Sequence, residues 1–370
     1  MVPFQTQTAN LIFESAALYK QPAKEKQLSE KKAADAFAFA VRNGLAPWIF
    51  FQLNRDGYKG VQWPDKAKQL LRMQYLQTLV MNQQKWKVFR EIYEIAASKN
   101  IQVIPLKGTA LAFSLYPEEA LRPMGDLDIL VPQKQVLELR DLLLAKGAKK
   151  LHVPISRLHE KVHAHISALS WQNIMIEPHQ RLFAMGSTMN LANTDLFQHL
   201  QPIKNYPELR IFNDRMQAYH LTTHTFKGYK MGGMRLGWLL DIALIMQRNQ
   251  DNKEFVSSVI ALNPGARKEI LAPFQWASLL LNPSMEDNFE IPFPDEILFH
   301  QEKDPKKKHK TMVAGEIAGL PGLHNKAKML FREFFPEPQY MQHQYGPHKG
   351  LSLFKLYLKR IAGVRMPENR

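Results

Sequence analysis

Two short apolar runs, IQVIP at 101–105 and DLDILV at 126–131, constrain this chain more than any other feature. Runs of this length, rich in β-branched residues, read as buried strands. Each precedes a stretch with helical spacing, Gly108–Leu115 after the first and Gln133–Lys146 after the second. Strand, helix, strand, helix predicts an α/β fold built on a small mixed sheet. Pro132 closes the second run, because proline cannot donate to a ladder. Val136, Leu139, Leu142 and Leu143 then share a helix face, with Gly147 at the C′ position. A third run, WQNIMIEPHQRLF at 171–183, predicts a strand around Ile174–Glu177 that stops at Pro178.

The flanks read as large helical additions. Apolar residues recur at three and four over 5–20 and 29–55, and one long helix or two in series run from Asp65 to Ser98 behind Pro64. After residue 190 the pattern is helical again, at 215–227, 236–248, 252–262 and 266–281. The expected division is an N-terminal helical region at 1–94, a sheet core at 95–190, a C-terminal helical region at 191–335 and a basic tail at 336–370. That tail ends in the helical-looking LFKLYLKRIAGVR.

Composition narrows the chemistry. With 45% hydrophobic residues in 370, there is material for a real core. The absence of cysteine excludes disulfides, thiol nucleophiles and thiolate zinc sites. A net charge of +15 favours anionic partners such as nucleotides or nucleic acid. KDPKKKHK at 303–310 reads first as a solvated loop and second as a nucleic-acid contact. The N-terminus lacks a signal pattern, and the most apolar stretch, GWLLDIALIM, is short and contains Asp241. The expectation is a soluble, cytoplasmic protein with no membrane partner.

Three pieces carry the candidate chemistry. Lys107-Gly108-Thr109 follows a strand and opens a helix, where a glycine lets backbone N–H groups approach a phosphate. Alone, it reads first as an ordinary strand-to-helix turn. Asp126 and Asp128 stand two apart at the mouth of an apolar strand, so they share a face at about 7 Å. Carboxylates so placed can bridge two divalent cations about 3.5–4 Å apart. Glu177, at the end of the third strand, supplies a third acid as metal ligand or general base. Arg122 is read either as a triphosphate contact or as an ion-pair partner that orients the aspartates.

The run LKGTALAFSLYPEEALRPMGDLDILV resembles the signature of the nucleotidyltransferase superfamily with the polymerase-beta-like fold. More narrowly, it resembles a poorly characterised bacterial family within it, with Glu177-Pro178-His179 and the helical stretch from His220 to Ile245 matching further on. The resemblance spans about 95–250 and makes the sheet core a nucleotidyltransferase core. It implies that Gly108 and Thr109, with Lys107, replace the superfamily's Gly-Ser phosphate loop. It also implies that Asp126 and Asp128 hold magnesium or manganese, with Glu177 as third acid. The substrate is then a nucleoside triphosphate such as ATP, and the acceptor a small molecule, a protein or an RNA. Two alternatives share these residues: a non-catalytic nucleotide- or RNA-binding protein retaining the fold, and a metal-dependent phosphohydrolase.

The histidines complete the reading. His159, His163 and His165 cluster without an HExxH arrangement, so a transition-metal site is disfavoured and His165 or His163 is a candidate to support the pocket. His179 should share a strand face with Glu177 and act beside it or orient it. His220 and His224, four apart, share a helix face and are expected to pack. Trp238 and Asp241 are expected to be structural, the aspartate as a cap or ion-pair partner.

Overall fold

In the computed structural model the described residues are 26–55, 58, 60–191, 196–250, 253–281, 314–315, 317–345 and 352–361. The expected helix at 5–20, the lysine run at 303–310 and the end of the basic tail lie outside them. β1 (Lys26–Gln27) pairs in parallel with β2 (Val61–Gln62). Between them stand α1 (Glu30–Arg42), whose N-cap Ser29 accepts from Lys32 N, and α2 (Ala46–Leu53), with Pro47 in its first turn. α3 (Asp65–Ala97) is one unbroken helix of 33 residues. Asn100 turns the chain out of it in a left-handed conformation, φ 55°, which asparagine tolerates.

Short elements follow: β3 (Ile104–Pro105), α4 (Lys107–Leu111), β4 (Leu127–Leu130), α5 (Val136–Ala145), β5 (Lys149–Lys150) and α6 (Arg157–Val162). The strands use only part of their apolar runs. α4 also stops before the expected Leu115, where the Ser114 hydroxyl donates back to the Ala110 carbonyl and Pro117 disfavours helix at Tyr116. β6 (Leu169–Trp171) and β7 (Ile174–His179) form a hairpin in the register Trp171↔Ile174. Its two turn residues, Gln172 and Asn173, have φ of 52° and 62°, the pattern that matches the right-handed twist of the strands. The expected stop at Pro178 is corrected: the strand runs through it to His179. Only a donor is lost there, and the Pro178 carbonyl still accepts from Ile166 N at 3.0 Å.

β8 (Leu200–Ile203) and β9 (Tyr206–Phe212) form a second antiparallel hairpin where the spacing suggested only helix. The remaining helices are α7 (Asp214–Lys230), α8 (Leu236–Arg248), α9 (Lys253–Ile260), α10 (Arg267–Leu281), α11 (Leu323–Phe334), α12 (Pro338–Tyr345) and α13 (Leu353–Ile361). The fold is therefore mixed α/β, with a five-stranded mixed sheet and helical regions at both ends.

The chain forms two compact units. The first takes 1–91, 104–127 and 191–305. Its core is helical: Trp276 on α10 stacks on Phe226 and meets Tyr229 edge-on, both on α7. α8 begins against the end of α1, where Leu236 N and Gly237 N donate to the side chain and carbonyl of Asn43. A Cβ at Gly237 would stand 2.8 Å from that carbonyl oxygen, so glycine permits the approach.

The second unit takes 92–103, 128–190 and 306–370. Its strands lie in the order β4, β7, β6, β5. Val162, Leu320 and Met329 form a small core that joins α6 to α11. His159 Nε2 meets Glu333 Oε1 at 2.6 Å, while its Nδ1 lies 2.8 Å from the hydroxyl of Ser156, the N-cap of α6.

Candidate active site

In the second unit, Asp128 on β4 and His179 on β7 are both buried, and the imidazole Nε2 stands 2.8 Å from Asp128 Oδ1. A carboxylate can only accept, so Nε2 carries the proton and donates. Burying a carboxylate is costly without such a partner. Glu177 lies two residues from His179 on the same strand face, and its Oε2 is 3.9 Å from the same Nε2. One ligand atom from each of Asp128, Glu177 and His179 lies within 4.8 Å of the others. The two carboxylates offer oxygens that could hold a divalent cation, while the protonated Nε2 serves Asp128 rather than a metal. Asp126, half-exposed just before β4, is not part of that group.

His165 pairs with His179 across an antiparallel bridge, and their rings meet edge-on at 5.4 Å. His165, one of the two histidines expected beside the pocket, is thus placed next to His179. His159 is tied instead to Ser156 and Glu333, the contacts that join α6 to the C-terminal helices. His152 was not singled out from the sequence. Desolvation, then the charge of His165, hold its imidazole below the usual range, while the charge of Glu177 pulls it up.

The first unit holds the other candidates. Lys107 adopts a left-handed conformation, φ 47°, at the start of α4, so the strained residue of the turn is the lysine and not the glycine beside it. At Gly108 space is tight, since a Cβ would come 3.2 Å from Met124 Cγ. Thr109 is buried, and its hydroxyl has no hydrogen-bond partner among the described residues. Arg122, weighed as a triphosphate contact or as an ion-pair partner of the aspartates, is seen in an ion pair with Asp241. Its Nε and Nη2 donate to both oxygens of Asp241 at 2.7 and 2.9 Å, a buried fork-to-fork pair. Tyr116 donates to the same carboxylate at 2.6 Å. Asp241 thus has the structural role expected of it, and burial pushes the Tyr116 phenol well above its usual range.

Two residues of α3 hold the loop that leads to Asp126. Asn82 donates to the carbonyls of Glu119 and Arg122 at 2.6 and 2.9 Å, and buried Lys85 donates to the carbonyl of Met124. Burial draws the Lys85 ammonium below its ordinary range, and the nearby Asp126 charge opposes this. Their spacing of three puts both on one helix face. On a long polar helix nothing distinguishes them from solvated residues, which is why sequence reasoning passed over them. His220 lines a small pocket with Lys107, and Trp238 packs on His224 at 4.9 Å, both at the half-buried or buried positions of packed helices.

A family described as uncharacterised nucleotidyltransferases matches residues 29–280, a span that contains every candidate residue named above. No curated protein matches the chain. Among solved structures, the solution structure of the antibiotic-resistance factor ANT(2'')-Ia aligns at 11% identity and a TM-score of 0.37, covering 50% of this chain and 93% of that one. With more than half its length matched, the chain belongs to the uncharacterised nucleotidyltransferase family.

Proposed function

We propose that the chain transfers a nucleoside monophosphate from a nucleoside triphosphate to a hydroxyl or phosphate acceptor, with divalent cations, magnesium first, at Asp126, Asp128 and Glu177. The observation that supports this most is the buried Asp128 carboxylate, fixed by His179 and beside Glu177. Its chemistry fits a hard cation, since magnesium takes a few carboxylate oxygens and completes its shell with phosphate and water. Asp126, Asp128 and Glu177 would hold the cations, which would supply charge neutralisation of the triphosphate and of the oxygens of an in-line displacement.

The chain's own residues do the rest. Glu177, exposed enough to meet an acceptor, completes the cation site or takes the proton from the attacking oxygen. That oxygen bonds to the α-phosphorus as the bond to the bridging oxygen breaks, and pyrophosphate departs. Lys107, the Gly108 backbone and the Thr109 hydroxyl hold the β- and γ-phosphates. The buried, unpartnered Thr109 hydroxyl and the left-handed Lys107 support that assignment. His179 positions Asp128. The ion pair of Arg122 with Asp241 supports a role for this arginine in holding the loop that leads to Asp126.

The test is incubation with each α-labelled nucleoside triphosphate and magnesium, with and without cell extract, beside an Asp128→Asn variant. Label appearing on an RNA, a protein or a small molecule, and lost in the variant, establishes the activity and names the acceptor class. Transfer that survives in Asp128→Asn removes Asp128 from the mechanism. No transfer and no metal-dependent triphosphate binding overturns the reading.

A further inference from the structure

Among the described residues, every strongly exposed phenylalanine lies in the C-terminal helices of the second unit: Phe331, Phe334, Phe335 and Phe354. On α11, Leu323, Leu330, Phe331 and Phe334 fall at spacings of seven, one and three, which one helix face accommodates. Leu323 is 84% exposed, and the buried Met329 points the other way, into the unit. On α13, Phe354 and Leu358, four apart, are exposed while Leu356 is buried. The two helices are tied together. Tyr357 OH donates to the Pro336 carbonyl, Arg360 donates to the Glu333 carbonyl, and Phe335 lies between Phe331 and Tyr357 at 4.9 and 6.0 Å. Each helix thus has a second apolar face that is exposed among the described residues.

The charge around these faces is one-sided. At 100° per residue, Lys326 and Lys328 border the α11 stripe on its two sides, and Lys355 adjoins Phe354. Both acids of these helices' stretch are engaged inward, Glu333 by His159 and Glu337 by Arg157 N at 3.1 Å. We infer that this face docks on an anionic membrane surface, with the Phe and Leu side chains in the headgroup region and the lysines on lipid phosphates and carboxylates. A basic rim around aromatic and leucine residues is what lies stably in such an interface. A second copy would set lysines against lysines, and a nucleic acid offers no apolar seat for Leu323 or Leu330. Docking of this kind is peripheral, since no described helix is long and apolar enough to cross a membrane. It is independent of the transfer reaction.

The experiment is sedimentation of the full chain with vesicles of phosphatidylcholine alone and of phosphatidylcholine mixed with phosphatidylserine. Light scattering of the free protein and a titration with polyuridylate accompany it. The expected result is binding to the mixed vesicles that salt reverses, with little binding to the neutral ones. A Leu323→Ser/Phe334→Ser/Phe354→Ser variant should bind the mixed vesicles at least about tenfold more weakly, the change that about 1.4 kcal/mol produces, with its thermal midpoint unchanged. A Lys326→Gln/Lys328→Gln/Lys355→Gln variant should lose the preference for anionic lipid. Absent or neutral-lipid binding, a triple-Ser variant that binds like the parent, a dimer that the Ser changes dissolve, or polyuridylate binding that they abolish would each overturn the inference.

Discussion

His179 donates its Nε2 proton to Asp128 Oδ1 across 2.8 Å, with both side chains buried. A group that orients a metal-ligating carboxylate affects cation affinity and rate together, by about 10–100-fold on removal. His179→Ala should therefore lower label transfer by about that factor and raise the magnesium needed for half-maximal rate. His179→Gln, which keeps an N–H donor, should lie between. Transfer measured across a magnesium series checks this, and an unchanged magnesium requirement in His179→Ala would count against the positioning role.

The Arg122–Asp241 pair makes a prediction about stability. Asp241 is fully buried and accepts from both Arg122 and Tyr116, which lie more than a hundred residues away in sequence. Breaking a buried pair from one side leaves a charge without compensation and costs about 3–5 kcal/mol. Asp241→Asn should lose stability on that scale in urea unfolding, and Tyr116→Phe about 1 kcal/mol, the worth of one hydrogen bond. Equal, small losses for both would mean that the pair is not the anchor described.

Tyr75 gives a signature in pH. The hydrogen bond to Glu118, then burial, then the charges of Glu118 and Glu119 raise its phenol from 10.0 to about 12. A raised folded value means that the stabilisation is fully present below pH 10.0 and is lost as pH climbs toward about 12. Absorbance titration of phenolate in the native protein should show a late-ionising tyrosine that disappears in Tyr75→Phe. The side chain is half-exposed, so salt should shift this titration downward.

Lys107 carries opposing demands. A non-glycine residue in a left-handed conformation is strained by about 1–2 kcal/mol, part of which glycine returns through its freer unfolded chain. Lys107→Gly should stabilise the fold by roughly 0.5–1 kcal/mol while weakening triphosphate binding. Thermal unfolding and triphosphate titration of the same variant test both. A variant that is less stable and binds equally well would show that the lysine is there for packing alone.

How much of this could be read from the chain depended on the range of the forces involved. Helix α8 begins at Leu236 and ends at Arg248, as its periodicity indicated, because local spacing decides a helix. The long α3 was legible for the same reason. The β8–β9 hairpin was not: Pro202 and Pro207 weaken any strand pattern, and its pairing is a tertiary fact. Within the candidate site, Asp128, Glu177 and His179 were visible as acids and a histidine at strand ends. That His179 binds Asp128, 51 residues away, was not. Lys85 and Asn82 were invisible because their value lies in carbonyls on a distant loop. Arg122 was seen, but its partner is fixed only by the packing of α8.

The pairing of β7 with its neighbours has a consequence for divergence. Glu177 and His179 project on one side of a strand whose place is pinned by main-chain bonds, with Ile166 N on the Pro178 carbonyl and Val131 N on that of His179. Main-chain bonds are indifferent to side-chain identity, so an exposed position such as Met175 can change while the buried Leu169, Ile174 and Ile176 stay apolar and the trio stays assembled. A single inserted or deleted residue between Trp171 and Glu177 is another matter. It would turn the acid and the histidine to the opposite side of the sheet together. Lineages carrying this centre should accordingly vary at the exposed Met175 and the turn and hardly at all in length.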